Sequence, residues 1–440
     1  MNHRTIFLAA ALAAGAPLSA QTALTPVEQR VRGAIAAQRE DLISYLQRLV
    51  DIPSSTLNLE GVRRIGSVFR ASLDSLGFTT TWVEMPADMR RAGHLVAERR
   101  GRAGAVRMLL IGHFDTVVDP GGANFVRRDS MASAIGGSDM KGGDVIILFA
   151  LKSLQASGAL DGLNVTLVIT GDEEMVGEPR PLARQALLDA ARRNDVALAF
   201  EGGNRSDATV ARRGASGWHL TATGRQAHSA GVFGSGAGYG AIYELARILD
   251  AFRVQVAGEQ YLTFNVATIV GGTDVTYDTL TNAGTTASQM NIVPRAAQAH
   301  GDLRFITEEQ KERVRQRMRV IVAQHLPGTS AEIVFEDSYP AMPPTEGNTR
   351  ILSILDEASR SLGYGPVAAL DPGRRGAGDV SFVAPIIDGL DGLGAMGGGS
   401  HAPGETVNLN TLTMQTERAA LLMLRLGTRP AREFTRSVTP

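Results

Sequence analysis

Short apolar runs that stop at polar residues constrain this chain most. The segments "VRMLLIGHFDTVV", "LNVTLVIT" and "DVALAFE" are strand-like, and helical patterns such as "GDVIILFALKSLQAS" and "PLARQALLDAARRN" lie between or after them. Two further strand-like runs, "FTTTWVEM" and "HLVAER", come earlier. This alternation predicts a mostly parallel α/β sheet covered on both faces. Ligands of open α/β sheets gather at strand ends. Polar residues at those ends are therefore the first functional candidates.

The pattern changes after Glu201. From about Gly214 to Ser330 it reads strand "GWHLTATGR", helix "GYGAIYELARILDAF", strands "YLTFNVATIV" and "RAAQAHGDLRFI", and helix "TEEQKERVRQRMRVIVAQHL". Two β-α-β-like units predict a small α+β domain inserted as a lid or dimerisation module. The expected divisions are a catalytic domain over residues 27–213 and 340–432 and an inserted domain over 214–330. The 440 residues suffice for two domains.

The N-terminus, "MNHRTIFLAAALAAGAPLSAQTA", has Arg4, an apolar run from Ile6 to Ala14, Pro17 and the small-residue sequence "LSA". It predicts a secretory signal over residues 1–20, cleaved after Ala20, and hence a periplasmic or secreted protein. The run is too short for a membrane anchor, which takes about 20 residues. A formal net charge of −1 creates no long-range field for nucleic acid or an anionic membrane. Cysteine is absent, so a metal must be held by imidazole and carboxylate.

In "GHFDTV", His113 and Asp115 are two apart on extended chain and share a face. The pair reads either as a satisfied histidine or as a carboxylate that fixes an imidazole toward a metal. Asp139 in "GGSDMKGG" precedes a helix near Lys141 and reads either as its N-cap or as a carboxylate on a tight glycine turn that binds two cations. In "TGDEEMVG", Asp172, Glu173 and Glu174 follow a buried strand and Gly171. In "AFEGG", Glu201 ends another, and "GGGSHAPGE" places His401 in a glycine-rich loop. Two histidines, an aspartate and two glutamates make five ligands for a carboxylate-bridged two-zinc site, and the remaining glutamate is left as a base.

The segments "GHFDTV", "GGSDMKGG", "TGDEEMVG", "AFEGG", "RQAHSAG" and "GGGSHAPGE" resemble, in order and spacing, the di-zinc exopeptidases and deacylases that include glutamate carboxypeptidase, aminoacylase and succinyl-diaminopimelate desuccinylase. The resemblance covers nearly the whole chain after the signal. It implies one zinc on His113, Asp139 and Glu201, and a second on Asp139, Glu174 and His401, with cobalt a possible substitute. It implies that Asp115 orients His113 and that Glu173 is the general base. His228 would serve the active site of a partner subunit, in a homodimer. Asn291 and Arg304 match family residues that hold the substrate carboxylate, and the turn Gly376 to Gly378 offers N–H groups to the same carboxylate. One departure concerns Tyr339 in "SYPAMPP", where glutamate carboxypeptidase has an arginine, so a preference for C-terminal glutamate is in doubt. Arg212 and Arg213 could compensate.

The expected function is an exported two-zinc amidohydrolase acting on peptides or N-acyl amino acids with a free carboxylate. The alternatives are a non-catalytic scaffold of the same fold and a hydrolase of non-peptide amides.

Overall fold

The computed structural model describes residues 23–120, 124–278 and 281–434. The expected signal at 1–20 lies outside the described residues. The strand-like runs assemble into a six-stranded sheet in the order Thr79–Val83, His94–Arg99, Asn164–Thr170, Arg107–His113, Val196–Ala199, Asp388–Leu390. The first two pairings are antiparallel, and the last three are parallel. Along Arg107–His113, Met108 and Leu110 enter one apolar layer while Leu109 and Ile111 enter another, the period of two of a strand buried on both faces. Helices Lys141–Ala156 and Leu409–Gly427 pack together in the first layer. Helix Gln185–Arg193 covers the second through Leu187, Ala190 and Ala191.

A second, wholly antiparallel sheet has the order Thr263–Gly272, Ala296–Phe305, Gly214–Gly224, Thr329–Tyr339. Helices Ala241–Gln255 and Glu308–Val322 cover one face with Leu245, Ile248, Phe252, Val314 and Met318, against Trp218, Leu220 and Leu303. The inserted unit therefore runs past the expected limit at 330, because Thr329–Tyr339 pairs along the length of Gly214–Gly224. That strand escaped the sequence reading because it is an edge strand whose partner lies about a hundred residues earlier, and only Ala331, Ile333 and Phe335 turn inward. The segment before Pro53 forms two helices, Pro26–Ala37 and Arg39–Val50. The final segment returns to the large sheet through Asp388–Leu390 and closes with Leu409–Gly427.

The turn after Asn164–Thr170 is fastened on several sides. Gly171 leaves the strand where a Cβ would lie 2.4 Å from the Gly93 carbonyl, so the exit admits no larger residue without movement. Its N–H donates to Nδ1 of buried His94, whose Nε2 pairs with the Ala183 carbonyl. Asp172 is fully buried and pairs at 2.6 Å with Arg184, which is itself fully buried and also pairs at 2.8 Å with Asp379. Asp379 accepts in turn from the hydroxyl of Thr170. One guanidinium thus joins the acidic turn to a residue more than two hundred positions later. Replacing Arg184 by alanine leaves two buried carboxylates without a counter-charge and is expected to lower stability by about 3–5 kcal/mol. Denaturant midpoints of wild type and Arg184→Ala measure this, and a loss below about 1 kcal/mol would contradict it.

Candidate metal centre

Three adjacent parallel strands bring their C-terminal ends to one place. His113 ends Arg107–His113, Glu173 and Glu174 follow Asn164–Thr170, and Glu201 follows Val196–Ala199. Asp139 and His401 arrive from two loops. The helix at Lys141 has Met140 as its N-cap residue and no side-chain cap, so Asp139 is not the cap and its carboxylate is left free. Its loop is gathered around buried Glu405, whose carboxylate accepts from the N–H groups of Gly136, Ser138 and Asp139 at 2.7–3.0 Å. His401 has a positive φ of 66°, an uncommon conformation for a side-chain-bearing residue, within the glycine-rich turn.

The two oxygens of Asp139 face different partners. Oδ1 lies 3.4 Å from Nε2 of His113, which is in turn 3.6 Å from Glu201. Oδ2 lies 3.2 Å from Nε2 of His401, which is 3.3 Å from Glu174. Glu173 is the remaining acid, 4.0 Å from His113 Nε2. His113 Nε2 is buried and has no hydrogen-bond partner among the described residues. Its Nδ1 lies 3.0 Å from the carbonyl of Asp115 and 3.4 Å from that residue's carboxylate. The shorter contacts of the Asp115 carboxylate are with the hydroxyl of Thr56 at 2.6 Å and with the N–H groups of Glu173 and Glu174, each at 3.0 Å. Asp115 thus holds the imidazole mainly through its backbone and uses its side chain to clamp the two glutamates.

Four carboxylates and two imidazoles this close distort one another's titration. Burial, reinforced by Asp139 and Asp115, pushes Glu174 up to about 8. Burial and Asp139 push Glu201 up to about 7. Glu173 is raised well above the usual range by burial and by Glu201, Asp379 and Glu174. The hydrogen bond from His401 to Asp139, helped by the charge of Glu174, holds His401 up to about 9. Burial works against the charge of His113, but Asp115, Asp139 and the nearby glutamates outweigh it and raise it as well.

The other expected site residues are not among the six groups gathered there. His228 is exposed in the inserted domain, on a short strand paired with Ile292–Val293, which sets it beside Asn291. Arg304 lies on the inner strand Ala296–Phe305 and pairs with Asp302 at 2.9 Å. Gly376 turns its carbonyl to Arg212 at 3.0 Å, and Gly378 packs on the same guanidinium. Arg212 is buried, ion-paired with Asp391, and bonded to the carbonyls of Gly376 and Ala377. Its Nε and Nη1 are committed to these partners, which gives it a structural role. Arg213 bonds to Thr263 at 3.0 Å. Tyr339 is close to the centre, with its hydroxyl 2.7 Å from the Glu173 carbonyl. Sequence reasoning missed Glu405, Arg184 and Asp379; only the position of Glu405, four residues after His401 in a glycine-rich loop, carried a signal.

Residues 210–330 match the peptidase dimerisation domain. The chain is 26% identical to carboxypeptidase G2 of Pseudomonas sp. (strain RS-16) over 97% of its own length and 98% of the relative's. It is 26% identical to succinyl-diaminopimelate desuccinylase of Acidiphilium cryptum (strain JF-5) over 80% of its length and 90% of the relative's. Its fold is shared with the Bacillus subtilis YXEP protein, a dinuclear metal binding peptidase from the M20 family, with a TM-score of 0.62, 15% identity, and coverage of 89% of this chain and 98% of that one. The peptidase dimerisation domain, the full-length similarity to carboxypeptidase G2 and the shared fold agree in likening the chain to the M20 peptidases.

Proposed function

We propose that the chain is an exported two-zinc amidohydrolase that cleaves the amide bond of peptides or N-acyl amino acids bearing a free carboxylate. The observation that carries this reading is Asp139, whose two oxygens face two separate imidazole–carboxylate pairs. Zinc fits the donors: His113 Nε2 is a buried nitrogen without a partner among the described residues, and the surrounding set is nitrogen and carboxylate oxygen alone. His113, Asp139 and Glu201 would hold one ion, and Asp139, Glu174 and His401 the other. When bound, such ions supply Lewis-acid polarisation of a carbonyl and acidify a nearby water.

Glu173 accepts the proton of the attacking water and returns it to the leaving amine nitrogen. Asp115 keeps that carboxylate in place through the Glu173 N–H. His228 accepts the Ala230 N–H at Nδ1, at 3.2 Å, so the proton of the neutral ring sits on Nε2 and can be donated to a developing oxyanion. In a homodimer that ring would serve the partner's centre, with Asn291 beside it and Arg304 and the N–H groups of Gly376 and Gly378 for the substrate carboxylate. The apolar N-terminal segment "TIFLAAALAAG" supports export.

Screening dipeptides and N-acyl amino acids with the zinc-loaded protein tests the reaction directly, and hydrolysis of none of them would overturn the reading. Glu173→Ala is expected to keep wild-type zinc content and to lose about 100- to 10,000-fold in kcat. Glu174→Ala is expected to lose zinc, measured by metal analysis after gel filtration. Wild-type turnover in Glu173→Ala would remove the base assignment.

The titrations also set a pH dependence. Glu174, Glu201, His113 and His401 all bind protons more tightly in the folded chain than in the unfolded one. These four groups then hold more protons in the folded chain across the window from about 4.5, the ordinary value for Glu174, to about 9, the raised value of His401, and their contribution to metal-free stability falls as pH rises through it. Zinc displaces those protons, so it should raise the melting temperature more at about pH 8 than at about pH 5.5. Calorimetry of stripped and reloaded protein checks both slopes. A metal-free melting temperature that climbs with pH would contradict them.

A further inference from the structure

Tyr339 is the last residue of Thr329–Tyr339, where the chain leaves the inserted sheet to rejoin the large domain. Its hydroxyl donates to the main-chain carbonyl of Glu173 at 2.7 Å. Its ring packs on Phe382 with centroids 5.0 Å apart, and the Arg184 guanidinium lies 5.4 Å from the centroid of that same Phe382 ring. Two residues earlier, the carbonyl of Asp337 accepts from Arg180, just beyond the glutamate turn. The end of this strand is therefore stitched to the turn at Glu173 and to the helix after it at Arg180.

The other anchors of the turn come from the large domain: His94 at Gly171, Arg184 at Asp172, Asp115 at the N–H groups of Glu173 and Glu174, and Arg91 at the carbonyl of Met175. Glu173 is thus held by Asp115 on its N–H and by Tyr339 on its C=O. Fixing both neighbouring peptide groups of one residue fixes the direction of its Cα–Cβ bond, and with it the reach of the carboxylate. The hydroxyl that does this belongs to a different domain from the loop it holds. A phenol suits this position because it is long enough to reach from the strand end, apolar along the ring against Phe382, and equipped with a single donor at its tip.

We propose that Tyr339 is a positioning residue that sets the placement of Glu173 and couples it to the position of the inserted domain. The role rests on the reading of Glu173 as the general base. The hydroxyl of Tyr339 is committed to the main chain and not to substrate. Because the hydroxyl sits at the end of the inserted sheet, the aim of Glu173 depends on where that sheet lies.

The test is Tyr339→Phe in the full zinc-loaded chain, with Phe382→Leu as a comparison that loosens the ring contact and keeps the hydroxyl. Tyr339→Phe is expected to lower kcat by about 10- to 100-fold, since small misplacements of a reacting group have effects of that size. KM should stay within about twofold and zinc content should be unchanged. Amide hydrogen exchange across residues 171–177 should be faster by about tenfold or more, because the Glu173 carbonyl loses its partner. Phe382→Leu is expected to lower the melting temperature with a much smaller effect on kcat. A Tyr339→Phe enzyme with wild-type kcat overturns the proposal, whether or not exchange changes. Equal losses of kcat in both variants, tracking the melting temperature, also overturn it by reducing Tyr339 to packing. If the wild-type protein hydrolyses no amide, the reading of Glu173 and this role fall together, a result distinct from an active wild type with an equally active variant.

Discussion

The arrangement of this protein depends on a buried guanidinium. Arg184 is fully removed from solvent and sits between Asp172 and Asp379, contributed by chain segments far apart in sequence. Taking three charged groups out of water costs several kcal/mol for each, and the cost is offset only if every donor and acceptor is well placed. The fork of the arginine satisfies that requirement with two carboxylates at once. One consequence is that the first acid of "TGDEE" is spoken for, which leaves the next two free to turn toward the centre. Another is that the segment holding Asp379 cannot move away from the sheet without stranding a buried charge.

The centre itself is organised by repulsion. Asp139, Glu173, Glu174 and Glu201 crowd around two imidazoles at the ends of three neighbouring strands. Burial and mutual repulsion raise Glu174 and Glu201 toward neutral pH and beyond, and the histidines are held charged in response. Such a set gathers positive charge of whatever kind is offered, and dications satisfy it better than protons. The repulsion does not scatter the side chains because their backbones are tied: Glu405 collects the amides around Asp139, and Asp115 collects those of Glu173 and Glu174. Two carboxylates that ligate nothing are therefore as necessary to the geometry as those that face the centre.

Much of this was legible in the order of residues. The apolar strands, the helices between them and the change of pattern near Gly214 announce a parallel sheet with an inserted α+β unit. The six groups that meet at the centre were all visible as polar residues at strand ends or in glycine loops. The supports were not. Arg184 looks like a surface residue on an amphipathic helix, and Asp379 and Glu405 look like loop acids. Arg212, read as a possible substrate contact, is buried against Asp391. Nothing local distinguishes a buried ion pair from a solvated charge, because the difference lies in what packs around it.

The amino-acid sequence by itself determined the element types, the division into two sheets and the identity of the residues at the strand ends, since these follow from local periodicity and from which side chains can bind protons or cations. Tertiary structure decided the pairing of Thr329–Tyr339 with a strand a hundred residues away, the use of Asp115 as a backbone clamp, and the reach of Tyr339 to the Glu173 carbonyl. Those are relations between distant segments. They depend on how the chain closes its loops and buries its charges, and a hydrogen bond between residues 173 and 339 has no local signature in either segment.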